Sequence, residues 1–142
     1  MGSIKDIITA IEVRLTALGF IISDEVFDFD SEPTSKIDNA YRIETRMIEN
    51  TGQMFQLMNT IDEVTIYIAY KAGRNRRTVW KSALDDRETI EVDLINAAGI
   101  SGLSSDPLLT MDQEASQTKE LTNYIISRLV FAVDYVRDVS PS

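Results

Sequence analysis

The amino-acid sequence predicts an α+β fold: one small domain, residues 1–142, in which an antiparallel or mixed β-sheet is flanked by two main helices. Two patterns support this prediction. Near the start of the chain and again around residue 90, apolar residues recur every three or four positions, which is typical of amphipathic helices. In three other segments they alternate with polar residues, which is typical of half-buried strands. With 142 residues and a hydrophobic content of 44%, the chain is large enough for one core.

The first helix is predicted over residues 4–18. Its apolar stripe consists of Ile4, Ile7, Ile8, Ile11, Leu15 and Leu18. Ser3 precedes the stripe and Asp6 follows three residues later, a spacing that resembles a capping box at a helix start. Gly19 can supply the left-handed turn that ends the helix.

The segment of residues 23–39 is acidic and rich in turn-forming residues. The alternation of Val26, Phe27 and Phe29 among acids is compatible with a short edge strand. Pro33 would end that strand, because proline cannot donate a ladder hydrogen bond.

Alternate acids in the same segment, Asp28, Asp30 and Glu32, resemble the opening of a calcium-binding loop. The twelve-residue pattern counted from Asp28 fails, because Pro33 stands where glycine is needed and Asn39 where a bidentate glutamate is needed. A solvated acidic loop, or a contact with a basic neighbouring subunit, explains these acids better than a metal site.

Strands are predicted over residues 41–48 and 62–70, with a break at residues 50–52 and a second, shorter strand over residues 53–58 between them. In the first strand Tyr41, Ile43, Thr45 and Met47 alternate with Arg42, Glu44 and Arg46. In the segment 62–70 one face carries Val64, Ile66, Ile68 and Tyr70. This segment is predicted to be the central strand of the sheet.

A basic loop is predicted over residues 72–77. With the preceding lysine it forms the cationic cluster Lys71, Arg74, Arg76 and Arg77. A phosphate-binding loop would need a second glycine and a Gly-Lys-Ser/Thr ending, and the segment has neither. The cluster therefore favours pairing with carboxylates of another subunit, with DNA in the lumen of a ring as a minor alternative partner. Trp80 is either a core residue or an interface anchor, and its place beside the loop favours the interface.

The second main helix is predicted over residues 86–98, with its start near Ser82 or Asp85 and its end at Gly99. Residues 100–119 are predicted to form a long polar connection. Connections of this length in a compact domain are usually functional or ordered by a partner.

The last element is predicted to be a long strand over residues 122–136. One face of this strand carries Ile125, Leu129, Phe131, Val133 and Tyr135, and the other face carries Arg128, Ala132 and Asp134. A helical stripe also runs through the segment, but the crowding of Ile, Val, Phe and Tyr favours a strand.

The sequence contains neither cysteine nor histidine. Disulfides, thiolate metal sites and cysteine nucleophiles are therefore excluded, as are the usual general base and the usual zinc ligand. The net charge of −9 argues against a surface that coats nucleic acid. We expect no enzyme activity, no bound metal and no cofactor. No apolar run reaches membrane-spanning length and no secretion signal is visible, which predicts a soluble protein inside the cell.

Several segments follow one another in an order that is informative as a whole. They are the glycine-ended first helix, the acidic segment, the strand beginning Tyr41-Arg42-Ile43-Glu44, the strand Val64-Thr65-Ile66-Tyr67-Ile68, the helix starting near Asp85-Asp86-Arg87-Glu88, and the closing strand Arg128-Leu129-Val130-Phe131-Ala132-Val133-Asp134-Tyr135. In this order, nearly the whole chain resembles the tail terminator proteins of tailed bacteriophages.

The resemblance implies a small α+β protomer that forms a hexameric ring in the tail or neck of a virion assembled in the host cytoplasm. Such a ring caps the finished tail tube, stops tube polymerisation and offers a docking surface for head-completion or connector proteins. The expected ring contacts pair the basic loop (Arg74, Arg76 and Arg77) with acids of an adjacent protomer (Asp28, Asp30 and Glu32), or with the tail tube protein.

Alternatives remain at this point. The first is a head–tail connector or head-completion neck protein, whose rings are also built from small domains. The second is a small-molecule-binding regulatory α+β domain, which would need a closed apolar pocket with a few converging polar groups. An enzyme is the weakest alternative.

Overall fold

The computed structural model describes residues 3–34, 36–54 and 56–139 and shows an α+β domain with a mixed six-stranded sheet and three helices, two of them long. In chain order the elements are α1 Ile4–Ala17, β1 Ile21–Ile22, β2 Ala40–Met54, β3 Leu57–Lys71, α2 Arg76–Asn96, α3 Ala98–Ser101, β4 Leu108–Met111, β5 Gln117–Glu120 and β6 Tyr124–Asp138. The predicted fold class is confirmed.

The sheet has the strand order β1-β2-β3-β6-β4, and β5 pairs with β6 beside β4. Strands β2, β3 and β6 form a long antiparallel centre, and β4 and β5 run antiparallel along the outer edge of β6. Only the short β1 is parallel to its neighbour β2 among the described strands, which makes the sheet mixed.

The main core lies between the helices and one face of the sheet. The helices contribute Ile7, Ile11, Leu15, Ala83, Ile90, Leu94 and Ile100. The sheet contributes Val64, Ile66, Ile68 and Tyr70 from β3 and Ile125, Leu129, Phe131, Val133 and Tyr135 from β6. The two predicted apolar strand faces are therefore confirmed.

Helix α1 begins at Ile4 as predicted and ends at Ala17, one residue before the predicted end. The Ser3 backbone N–H donates to the Asp6 carboxylate at 3.1 Å, which satisfies one of the free donors at the helix start. Gly19 has a φ of +99°, the left-handed conformation that glycine adopts without steric cost.

The second face of the sheet is covered by the acidic segment, which forms a loop and not the edge strand considered for residues 26–29. Phe27 is fully buried there in a second cluster with Tyr67, Ala69, Tyr124 and Ile126. The preceding Val26 is 75% exposed. The segment therefore contributes one deeply inserted aromatic side chain, where a strand would have contributed a regular apolar face.

The predicted break at residues 50–52 and the separate strand over residues 53–58 are wrong, because β2 continues to Met54 and β3 begins at Leu57. Asn50 stays in the strand because its side-chain oxygen accepts a hydrogen bond from the hydroxyl of the facing Thr60 at 2.8 Å. Pairing across the hairpin thus overrides a local sequence that favours a turn. Gln56, with a φ of 68°, lies in the turn instead.

Helix α2 begins at Arg76, ten residues earlier than predicted, and the basic loop shrinks to residues 72–75. Packing explains the early start, because Val79 packs against the main core and Ala83 is buried in it. The side chain of Asn75, directly before the helix, accepts a hydrogen bond from the Gly73 backbone at 3.3 Å, which shapes the loop but does not cap the helix. The helix ends at Asn96 and not at residue 98, and the short α3 follows.

The predicted polar connection over residues 100–119 contains the end of α3, the whole of β4 and most of β5. Leu109 and Met111 alternate inward from β4 and are only 5% and 6% exposed. Four-residue strands hold too few periods for a sequence pattern to identify them. In the part of the chain that the structure describes, no helix has the length and hydropathy needed to cross a lipid bilayer.

Candidate functional site

The two charged segments singled out in the sequence meet within one chain, at the turn between β5 and β6 (residues 121–123). The Arg76 guanidinium donates from Nη1 to the Leu121 carbonyl at 2.9 Å and from Nη2 to the Thr122 carbonyl. On the other side of the turn, the Glu32 carboxylate accepts from the Asn123 backbone at 3.1 Å and from its side chain at 3.0 Å. The turn is therefore held from both sides by its own chain.

The other two acids of the segment also have partners in the same chain. Asp30 forms an ion pair with Lys119 at 3.3 Å, although its side chain is 91% exposed. Asp28 accepts a hydrogen bond from the Asp30 backbone at 2.8 Å, which shapes the loop. Among the described residues, no three carboxylates lie close enough together to hold a metal ion.

Three cations of the basic cluster are exposed: Lys71, Arg74 and Arg77. Their side chains make no hydrogen bond or ion pair with another residue in the ranges that the structure describes. These are the groups of the cluster that remain available to a partner, whereas Arg76 already holds the β5–β6 turn.

A groove of about 350 Å³ lies beside this turn and is lined by Arg76, Arg77, Trp80 and Glu120; we call it the terminal groove. Trp80 is 39% exposed, so a large part of its ring can be covered by a partner. An exposed guanidinium beside an exposed indole can bind a carboxylate and an apolar side chain of a second protein together. The structure thus brings Arg76, Arg77 and Trp80 to one surface.

A second groove, of about 580 Å³, adjoins the same turn and is lined by Asp30, Glu32, Glu120, Leu121 and Thr122; we call it the acidic groove. Glu120 lines both grooves. Cationic and anionic surfaces therefore lie side by side at one end of the molecule.

Two arginines that the sequence did not single out hold the acidic segment on the sheet. Arg42 of β2, Tyr67 of β3 and Arg128 of β6 stand directly opposite one another across three strands. The Arg42 guanidinium lies 4.5 Å from the centre of the Tyr67 ring, and that of Arg128 lies 4.5 Å from the centre of the Phe29 ring. Such cation–π contacts fix the aromatic side chains of the loop. In the sequence, the available indication was that each arginine lies on the polar face of a predicted strand, Arg42 in residues 41–48 and Arg128 in residues 122–136.

Tyr67 lies at the centre of this row. Burial raises the pKa of its hydroxyl, and the negative charge of Glu44 raises the pKa further. The positive charges of Arg128 and Arg42 act in the opposite direction. The Tyr67 and Phe29 rings meet edge to face, with centres 6.4 Å apart.

A carboxylate is buried on the opposite face of the sheet, towards the hairpin end. Asp62 is 3% exposed and accepts hydrogen bonds from Thr45 at 2.9 Å and from the Tyr135 hydroxyl at 3.1 Å. Burial, followed by the nearby Asp62 charge, raises the pKa of Tyr135 to about 12. Both hydrogen bonds satisfy the buried carboxylate, as a stable fold requires.

Comparison of the sequence with protein-family models finds no match, and comparison with characterised proteins finds none either. The surface around the β5–β6 turn and the order of elements along the chain are therefore the features that indicate a function.

Proposed function

We propose that this protein is a structural virion protein of a tailed phage, located in the tail or neck. Six copies form a ring that caps the tail tube, ends tube polymerisation and presents a docking surface to a head-completion or connector protein. The element order that resembles tail terminators supports the proposal, and so does the protomer architecture, with its sheet covered by helices on one face.

The observation that carries the proposal furthest is the pair of oppositely charged grooves at one end of the molecule. A cyclic ring needs a contact between two different, complementary surfaces of adjacent protomers. The terminal groove offers Arg77 and Trp80 to carboxylates and apolar side chains of the neighbour, with Arg74 just before α2. With a net charge of −9, a neighbouring protomer has many carboxylates to present.

The ring contact can be tested by reversing the two exposed arginines and sparing the one that holds the turn. We expect the double variant Arg74→Glu, Arg77→Glu to fall apart into species smaller than a six-copy ring under native mass spectrometry, where the unchanged protein shows a multiple of six copies. Each exposed ion pair contributes only about 0.2–1 kcal/mol, but the loss is repeated at every contact of the ring. High salt should reproduce part of the effect.

The control is Lys5→Glu with Lys36→Glu, which makes the same change in net charge at two exposed lysines outside the terminal groove. We expect this control to keep the ring, with the same number of copies as the unchanged protein. Loss of the ring in both variants would show that only total charge matters and would contradict the proposed contact.

The function itself is tested by tail length in particles assembled with the Arg74→Glu, Arg77→Glu variant. Overgrown tubes of variable length support termination. Tubes of normal, uniform length that fail to join heads would indicate the connector alternative instead.

A further inference from the structure

Among the residues that the structure describes, no strand partner covers the outer edge of β2 over most of its length. The short β1 covers only its start, where Ile21 donates to the Asn39 carbonyl at 2.9 Å and Ser23 donates to the Tyr41 carbonyl at 2.8 Å. Beyond Tyr41, no strand in the described ranges pairs with this edge of β2.

The backbone groups along this edge point outward in a fixed pattern. The Tyr41 carbonyl faces β1, and alternate residues of a strand direct their N–H and C=O groups to the same side. Ile43, Thr45 and Met47 therefore present their backbone donors and acceptors to the outside.

The opposite edge of the sheet is treated differently. Strands β4 and β5 cover β6 from Ile125 to Asp134, and the Val136 N–H donates to the Ser105 carbonyl at 2.8 Å. Proteins usually cover or blunt long edges, because a row of unpaired groups is a template for pairing with another chain. On β2 the exposed side chains are also partly apolar: Met47 is 46% exposed and Ile48 is 48% exposed.

Two structural features limit the segment of β2 that can pair. On one side β1 occupies the edge as far as Tyr41, and on the other a register shift between Met47 and Glu49 interrupts the regular strand. Such a bulge ends regular pairing. The regular free segment is therefore residues 42–47, and Thr45 is the central one of its three outward-facing residues.

We propose that this edge binds a second copy of the chain, in an antiparallel two-fold contact centred on Thr45 that joins the two sheets. Thr45 then faces Thr45 of the second copy, and Ile43 faces Met47 in two equivalent pairs. A two-fold contact uses the same surface on both copies, so the segment must be complementary to itself.

The side chains of the segment meet this requirement. On the face opposite the helices, the contact places Arg46 against Glu44 of the second copy, twice. A shift of the register in one direction would place Glu44 against Glu44, and a shift in the other would place Arg46 against Arg46. Larger shifts run into β1 or into the bulge.

The face towards the helices is complementary as well. There the partly buried Ile43 meets Met47 of the second copy, which is 46% exposed in the single chain, in two equivalent pairs. The contact would cover both apolar side chains, which favours association.

The experiment uses two single charge reversals, Glu44→Arg and Arg46→Glu. Each places like charges opposite each other across the two-fold contact, so we expect each to weaken self-association about tenfold or more by sedimentation velocity. An equimolar mixture of the two variants places opposite charges face to face again. We expect the mixture to form one-to-one pairs, identified in native mass spectra by the mass difference between the variants.

Each variant also loses an ion pair within its own chain, with Arg42 or Glu63, so circular dichroism must confirm that both are folded. If one is not, Met47→Pro replaces it, because Met47 is exposed and, unlike Thr45, does not hydrogen-bond the buried Asp62. Proline removes an N–H that faces outward, so an edge strand tolerates it while the contact loses one hydrogen bond from each copy. A mixture that stays unpaired, or a Met47→Pro variant that associates as tightly as the unchanged protein, would overturn the proposal.

The ring contact and this contact use different residues and give different masses. The two-fold contact doubles the number of copies, from one to two or from six to twelve, and the Glu44→Arg change should halve it in either case. Loss of the ring in the Arg74→Glu, Arg77→Glu variant leaves this doubling in place. Failure of one proposal can therefore be told apart from failure of the other.

Discussion

Arg14 of α1 and Asp93 of α2 form an ion pair with two hydrogen bonds, which ties the two long helices together. Nε contacts Oδ1 and Nη2 contacts Oδ2, both at 2.8 Å. The hydrogen bonds from Arg14, assisted by its positive charge, hold the pKa of Asp93 below its ordinary value. A planar guanidinium suits this geometry, which a lysine could not reproduce.

The lowered pKa makes this contact dependent on pH. In the unfolded chain Asp93 titrates near its ordinary pKa of about 3.9, and in the folded protein it titrates lower. The stabilisation is therefore fully present above about pH 4 to 5 and is lost as the pH falls through the folded pKa.

We expect Asp93→Asn to lower the melting temperature by about 1–4 °C at pH 7 and by little or nothing at about pH 2. Differential scanning calorimetry at both pH values measures the difference. Glu88→Gln is the control, because Glu88 is an exposed acid on the same helix without an ion pair to another described residue. An equal loss at both pH values would show that packing, and not charge, explains the effect.

At the scale of elements, the β5–β6 turn depends on a helix that lies far away in sequence. Arg76, in the first turn of α2, satisfies the carbonyls of Leu121 and Thr122. Removing the Arg76 guanidinium would leave both carbonyls without their hydrogen-bond donor, which lowers stability.

We predict that Arg76→Ala lowers the free energy of unfolding by about 1–3 kcal/mol, measured by urea titration. Arg76→Lys should recover only part of this loss, because an ammonium group cannot reach two carbonyls with a fixed fork. The neighbouring Arg77→Ala is the matched control and should change stability by no more than about 0.5 kcal/mol. If both alanine variants were equally stable, Arg76 would have no role in holding the turn.

The elements that the sequence predicted well are those with long periodic patterns. The stripe of α1 and the alternation in β3 and β6 each extend over several turns or several residue pairs, so local noise averages out. The position at which α2 begins and the continuation of β2 past Asn50 depend on contacts with residues that lie far away in sequence. Thr60 holds Asn50 in its strand, and no local pattern reports that contact.

The candidate site was predictable only in part, for the same reason. Arg77 and Trp80 do lie together on an exposed surface, as their proximity in sequence suggested. Arg76 occupies the same stretch, but its acceptors are 45 and 46 residues away, so sequence alone assigned it to a partner. Asp30 and Glu32 were likewise expected to contact a neighbour, and their contacts with Lys119 and Asn123 were not visible locally.

At the scale of the whole molecule, the sheet is covered on both faces by different means. Helices cover one face, and an irregular segment covers part of the other through Phe27 and Phe29. Between Asp24 and Asp38 the described residues form no strand, so the attachment of the segment depends mainly on a few side chains.

We expect Phe27→Ala to cost about 3–5 kcal/mol of unfolding free energy, the range for a fully buried phenylalanine. Val26→Ala, at an adjacent position that is 75% exposed, should change stability by less than about 0.5 kcal/mol. Chemical denaturation of the two variants gives the comparison. A Phe27→Ala variant as stable as the control would show that the acidic segment adds little to the fold.

The position of β6 at the centre of the sheet has a consequence for synthesis of the chain. β6 is the last described strand along the sequence, yet it pairs with β3 on one side and with β4 and β5 on the other. A nascent chain that has emerged only as far as residue 120 therefore lacks the strand that pairs with β3, β4 and β5. Pairings over such long sequence separations form slowly. Until β6 has been translated, the β2–β3 hairpin has no partner along the edge of β3. A chaperone that shields this edge would act during that interval.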